Sequence, residues 1–189
     1  YPIAAVNNNE RKGAGWGSGG GWNDATAGAY PDSVQILFNG TQTIDITAAN
    51  TGLAGGIGFF GVGNLTGGPG TNAFAFGATG SVSGNLFGNG ADTLDLSARN
   101  GPLEFRLGPT LSEATPIGGK FSGMTTLVGN DPANSTDATL IGSSGGQTFT
   151  LPAANTGTAG TIGFSRIGNL IGGSGGDTFT GSGGSLSGS

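Results

Sequence analysis

The chain has 189 residues, 43 of them Gly, with 9% charged residues and a net charge of −5, against about 7% Gly and about 25% charged residues in an ordinary domain. It contains no Cys and no His, which excludes disulfides, thiolate zinc sites, Ser-His-Asp triads and imidazole bases. Six Lys and Arg against eleven Asp and Glu leave no basic face for nucleic acid, and no apolar run approaches the roughly 20 residues of a membrane-spanning helix.

The chain begins at Tyr1 rather than Met, as a processed or excised piece would. Residues 1–40 hold both Trp, both Tyr and the cluster Glu10-Arg11-Lys12. In Trp16-Gly17-Ser18-Gly19-Gly20-Gly21-Trp22-Asn23-Asp24 two indoles lie near an amide and a carboxylate. Indole faces cover the C–H face of a sugar while amides bond its hydroxyls, making Trp16, Trp22, Asn23 and Asp24 candidate carbohydrate-binding residues. The competing reading is that both Trp plug the end of a repeat array, where core would otherwise be exposed. Val34-Gln35-Ile36-Leu37-Phe38 alternates as a strand does, and Asn39-Gly40 after it is a two-residue hairpin signal.

From residue 41 onward nearly every ten-residue window contains Gly, which costs a helix roughly 1 kcal/mol each time. Short alternating runs predict strands instead: Thr43-Ile44-Asp45-Ile46-Thr47, Phe74-Ala75-Phe76, Leu94-Asp95-Leu96 and Leu103-Glu104-Phe105-Arg106-Leu107. Glycine-rich corners such as Thr66-Gly67-Gly68-Pro69-Gly70 separate them. With 34% hydrophobic residues, 11 of them Phe, the chain is too apolar and too weakly charged for a disordered tail.

The chain also repeats itself. Shifted by 105 positions, residues 40–74 fall on 145–179 with 20 identities in 35 positions, and Ala48-Ala49-Asn50-Thr51-Gly52 returns as Ala153-Ala154-Asn155-Thr156-Gly157. With one deletion, Gly80-Ser81-Val82-Ser83-Gly84 returns as Gly184-Ser185-Leu186-Ser187-Gly188. A repeat that preserves glycines and apolar residues preserves a shape. Phe59 and Phe74 stand 15 apart, and the segments at Gly70 and Gly90 echo each other 20 apart. The expected architecture is therefore all-β: a parallel β-helix or β-solenoid with coils of roughly 15–20 residues over 41–189, preceded by a non-repetitive N-terminal β cap over 1–40.

Gly172-Gly173-Ser174-Gly175-Gly176-Asp177-Thr178-Phe179-Thr180 fits the nine-residue pattern of a calcium-binding β-roll, and three segments ending at Phe74, Leu94 and Phe149 are degenerate versions. Asp92, Asp95 and Asp177 are thus the candidate metal ligands, with calcium the one cofactor they suggest. Calcium needs six or more oxygens from stacked turns, and these segments are unevenly spaced. A glycine corner followed by a buried Phe or Leu is the simpler reading.

Gly80-Ser81-Val82-Ser83-Gly84, Ala91-Asp92-Thr93-Leu94-Asp95-Leu96-Ser97 and the run from Ile167 to Thr178 make residues 40–189 resemble the glycine-rich repeats of very large secreted bacterial surface proteins. These are related to calcium-binding β-roll and filamentous-haemagglutinin-like adhesins. The resemblance implies secretion, a parallel β-helix and a role in coats, stalks or adhesion. Residues 1–46 resemble the front half of a discoidin-like, galactose-binding β-sandwich, carried by Trp16 to Thr26, Tyr30-Pro31-Asp32 and Val34-Gln35-Ile36. Ser33 stands where that family has Trp, and the second half of the sandwich is absent.

The expected function is a non-enzymatic structural or adhesive segment of an extracellular surface protein. Its expected partner is itself, end to end into a filament, with Val34, Ile36, Phe38 and Leu186 at the contact. The alternative is a module that binds calcium or surface glycans.

Overall fold

The computed structural model describes residues 41–130 and 138–188 in full, together with the backbone of the strands Val6–Asn7, Trp22–Asn23 and Asp32–Gln35. The described residues are all-β, in one 14-stranded and one 4-stranded sheet, both of mixed direction and neither closed. The strands follow the alternation in the sequence. Ile44 and Ile46, Phe74 and Phe76, and Leu94 and Leu96 are buried, while Thr43, Asp45 and Ala75 between them face outward. Leu103, Phe105 and Leu107 are likewise buried on one face, with Glu104 and Arg106 paired at 2.8 Å on the other.

Long-range parallel pairing organises the core. Ile44 opposes Phe74, Phe74 opposes Leu94, Leu94 opposes Leu127 and Leu127 opposes Phe164. All five are at most 2% exposed, so one apolar ladder runs through the large sheet, each rung about 4.8 Å from the next. A second ladder joins Leu65, Leu86 and Phe121. A third joins Phe105, Leu140 and Leu170 in the smaller sheet.

The rungs of the first ladder stand 30, 20, 33 and 37 residues apart, which corrects the uniform spacing of 15–20 read from the sequence. Antiparallel excursions lengthen three of the four intervals. That from Leu94 to Leu127 holds the pair of Leu103–Arg106 with Glu113–Ala114, and those from Ile44 to Phe74 and from Leu127 to Phe164 hold a meander each. Gln42–Ala48, Thr51–Ala54 and Ile57–Phe60 form a three-stranded meander, as do Thr148–Ala153, Thr156–Ala159 and Ile162–Ser165. Phe59 lies on the meander's last strand opposite Gly52, so its 15-residue spacing from Phe74 is not a coil period.

The repeated phrase Asn-Thr-Gly makes the meander's first turn. Asn50 and Asn155 both take φ 52°, a left-handed conformation that Asn tolerates better than most residues. Gly52 and Gly157 allow close strand approach. A Cβ on Gly52 would overlap the Asp45 carbonyl oxygen and come 2.6 Å from the Phe59 ring, and one on Gly157 would meet Thr150 and Phe164 in the same way.

The pairing pattern of the repeat reaches back before residue 41. Trp22–Asn23 runs parallel to Phe59 and Phe60 as Leu127 and Val128 run parallel to Phe164 and Ser165. Asp32–Gln35 runs parallel to Val62–Thr66 as Ala138–Ile141 runs parallel to Asn169–Ile171. Asn39-Gly40 lies outside the described residues, and the strands on either side of it, Asp32–Gln35 and Gln42–Ala48, pair elsewhere. Asp32–Gln35 pairs with Val6–Asn7 and Val62–Thr66 instead, and both edges of Gln42–Ala48 are taken by Thr51–Ala54 and Asn72–Phe76.

Candidate functional site

The candidate calcium ligands sit in glycine corners and are not brought together. Asp92 is fully buried, and its oxygens accept the Asn72 backbone N–H at 2.6 Å, the Asn72 side-chain amide at 3.1 Å and the Asn89 N–H at 2.8 Å. Those donors take three of the carboxylate's roughly four lone-pair sites. Asp95 accepts the Ser97 N–H at 2.9 Å, a local turn. Asp177 precedes a strand five places along the sheet from that of Asp92, about 24 Å at ordinary strand spacing. Among the described residues no group of three or more His, Cys, Asp or Glu could hold a metal ion.

The variable residue of these motifs has a local role. Asn72 donates to the carbonyls of Gly68 and Gly70 at 2.9 and 3.0 Å, and Gln147 accepts the Ser143 N–H at 3.2 Å. Asn, Asp and Gln each satisfy backbone groups of the corner they close, which a buried corner requires.

Other asparagines clip one layer to the next. Asn50 Oδ1 accepts the Ser83 N–H at 2.8 Å while its Nδ2 donates to Ser83 Oγ at 3.0 Å. In the second copy Asn155 and Ser187 make the same pair of bonds at 2.8 and 2.9 Å. Asn64 Oδ1 accepts the Asn85 N–H at 2.7 Å, and Asn85 Oδ1 accepts the Lys120 N–H at 2.9 Å. The roles of Asn50, Asn64 and Asn85 were missed by sequence reasoning. The signal was present in the phrase Asn-Thr-Gly, which occurs twice, and in Gly-Asn-Leu, which occurs three times, at Asn64, Asn85 and Asn169.

The sheet ends in an exposed apolar face. Thr178–Gly181 is the last strand of the large sheet and Asn169–Ile171 the last of the small one. Phe179 is 50% exposed although its ring stacks on Phe149 at 4.7 Å, and Ile171 is 51% exposed. Phe74, the counterpart of Phe179 in the first copy, is 0% exposed. Leu186, one of the proposed contact residues, is half-buried on this face, whereas its counterpart Val82 is buried.

Val34, the other described contact residue, lies on a strand with both edges occupied, so this strand has no free edge for a neighbouring chain. Ile36, Phe38, Trp16 and Asp24 fall outside the described residues, and of Trp22 and Asn23 the backbone alone is placed.

Beside the exposed end, Arg106, Leu111, Glu113, Lys120, Ile141 and Ile171 line a shallow groove of about 550 Å³. Lys120 pairs with Glu113 there, and this hydrogen bond and charge hold the Glu113 carboxyl below its ordinary range. Among the described residues no helix is long and apolar enough to cross a membrane. Comparison with known families, characterised proteins and solved structures found no match to this chain.

Proposed function

We propose that this chain is a non-enzymatic structural or adhesive segment of an extracellular bacterial surface protein, with its parallel rungs stacked as a β-solenoid. One observation carries the reading: its polar side chains serve the stacking of layers. Asn50, Asn64, Asn85 and Asn155 bond forward to the next layer, and Asp92 bonds back to Asn72. A catalytic site requires a nucleophile, a base and a group that orients it to converge in a cleft. Here the buried carboxylate Asp92 is committed to corner and interlayer hydrogen bonds. The repeat supplies shape, and its resemblance to glycine-rich surface repeats supplies the location.

Antibody labelling of intact cells that make the protein tests this reading. Label on the outer surface before permeabilisation is the expected result. Label confined to the interior, seen only after lysis, would overturn it.

A further inference from the structure

The strand Thr178–Gly181 is the second copy of residues 73–76, and the first copy shows what such a strand accepts. Residues 85–96 lie across it there: Thr93 opposes Ala73, Leu94 opposes Phe74 and Asp95 opposes Ala75, all in parallel. The same segment accepts the Leu65 N–H on the Asn85 carbonyl at 3.0 Å and the Gly67 N–H on the Phe87 carbonyl at 2.8 Å. It takes Phe74 to 0% exposure, against 50% for Phe179.

One substitution between the copies changes the chemistry required of that layer. Asn72 donates its amide to Asp92 Oδ1 at 3.1 Å, but its counterpart in the second copy is Asp177. An aspartate in the covering layer would then set two carboxylates about 3 Å apart, which their charges strongly disfavour. Asp177 Oδ1 is buried without a partner, as Asn72 Oδ1 is under its layer. Asp177 Oδ2 stands where the Asn72 amide nitrogen stands beside the corner glycine, so the complementary group is a donor facing that oxygen.

We propose that this face is a docking surface for a glycine-rich polypeptide coil. The coil lays a parallel strand along Thr178–Gly181, with a leucine opposite Phe179 and a side-chain amide opposite Asp177. The strand edge supplies backbone hydrogen bonds, Phe179 supplies apolar contact, and Asp177 selects the partner by charge. The inference rests on the layer-stacking reading above.

Titration of the isotope-labelled full chain with three peptides tests it by amide shifts and hydrogen exchange. The first has the sequence of residues 85–96 with Asp92→Asn, the second keeps Asp92, and the third carries Asp92→Asn and Leu94→Lys. In neutral buffer the first should shift and protect amides at residues 170–172 and 177–181. The second should bind at least about tenfold more weakly, and the third should not bind. In the Asp177→Asn chain the second peptide should recover that factor. Four results would overturn the proposal: no shifts at about 1 mM of the first peptide, equal binding of the first two, calcium-dependent binding of the second, or burial of Phe179 by self-association without peptide. The same spectra report residues 73–76. If those amides are protected and no peptide binds, docking fails while stacking stands. If they exchange freely, stacking fails and the proposal falls with it.

Discussion

Asn155 holds Ser187 by both ends of its side-chain amide, 32 residues away, with bonds of 2.8 and 2.9 Å. Asn50 holds Ser83 by the same two bonds in a more exposed setting, since Asn155 is 4% exposed and Ser83 lies at the surface. A buried pair loses more when one partner is removed, because the group left behind is not rehydrated. Asn155→Ala should cost about 2–3 kcal/mol and Asn50→Ala about 1 kcal/mol. Urea denaturation of the two variants checks the order, and equal losses would show that burial does not set the strength of this clip.

Gly157 and Gly163 lie one strand apart in the second meander and differ in the space around them. A Cβ on Gly157 would overlap the Thr150 carbonyl oxygen and meet the Phe164 ring at 2.9 Å, while one on Gly163 finds its nearest neighbour, the Thr125 carbonyl oxygen, at 3.6 Å. Gly157→Ala should therefore destabilise by about 2–3 kcal/mol, and Gly163→Ala should stay within about 0.5 kcal/mol of the parent. Thermal melts of both variants measure the difference.

Asp92→Ala would leave the buried Asn72 backbone N–H unpaired and remove the partner of the part-buried Asn89 N–H, while the Asn72 amide keeps the Gly68 and Gly70 carbonyls. A loss of about 3 kcal/mol or more is expected. With the Asp92 oxygens occupied by N–H donors, melts of the parent in EDTA and in calcium should coincide. A calcium-dependent rise in the midpoint would mean that an ion displaces those donors and would return Asp92, Asp95 and Asp177 to a metal role.

The sequence made the strands legible because inward and outward residues alternate at Ile44, Ile46, Phe74, Phe76, Leu94 and Leu96. It could not show which strands are neighbours. The spacing between Phe59 and Phe74 has the same form as that between Phe74 and Leu94, yet the first belongs to a meander and the second to a parallel pair. Trp22 and Leu127 share a pairing position but little local sequence, because backbone pairing tolerates any side chain that fits. Asp92 was visible as a motif residue. Its hydrogen-bond partner Asn72 comes from another layer, and composition carries no record of such contacts.

Lys120 holds Glu113 below its ordinary pKa of 4.5, through their hydrogen bond first and its charge second. A lowered folded value means that the pair's contribution is complete above that ordinary value and is lost as pH falls through the lowered one. Both side chains are about half exposed, at 46% and 47%, so solvent screens the pair strongly. Glu113→Gln should leave the thermal midpoint near neutral pH almost unaltered and flatten the acid end of the midpoint-versus-pH curve. A large loss at neutral pH would show that the pair bears more of the fold than its exposure allows.

Side-chain contacts along the first ladder test the stacked-layer account most directly. Nuclear Overhauser measurements on methyl- and aromatic-labelled protein should connect Ile44 to Phe74, Phe74 to Leu94, Leu94 to Leu127 and Leu127 to Phe164, and should omit Ile44 to Leu94, two rungs apart. Contacts that instead place Phe59 in the ladder between Ile44 and Phe74, or that join Leu94 to neither Phe74 nor Leu127, would contradict it.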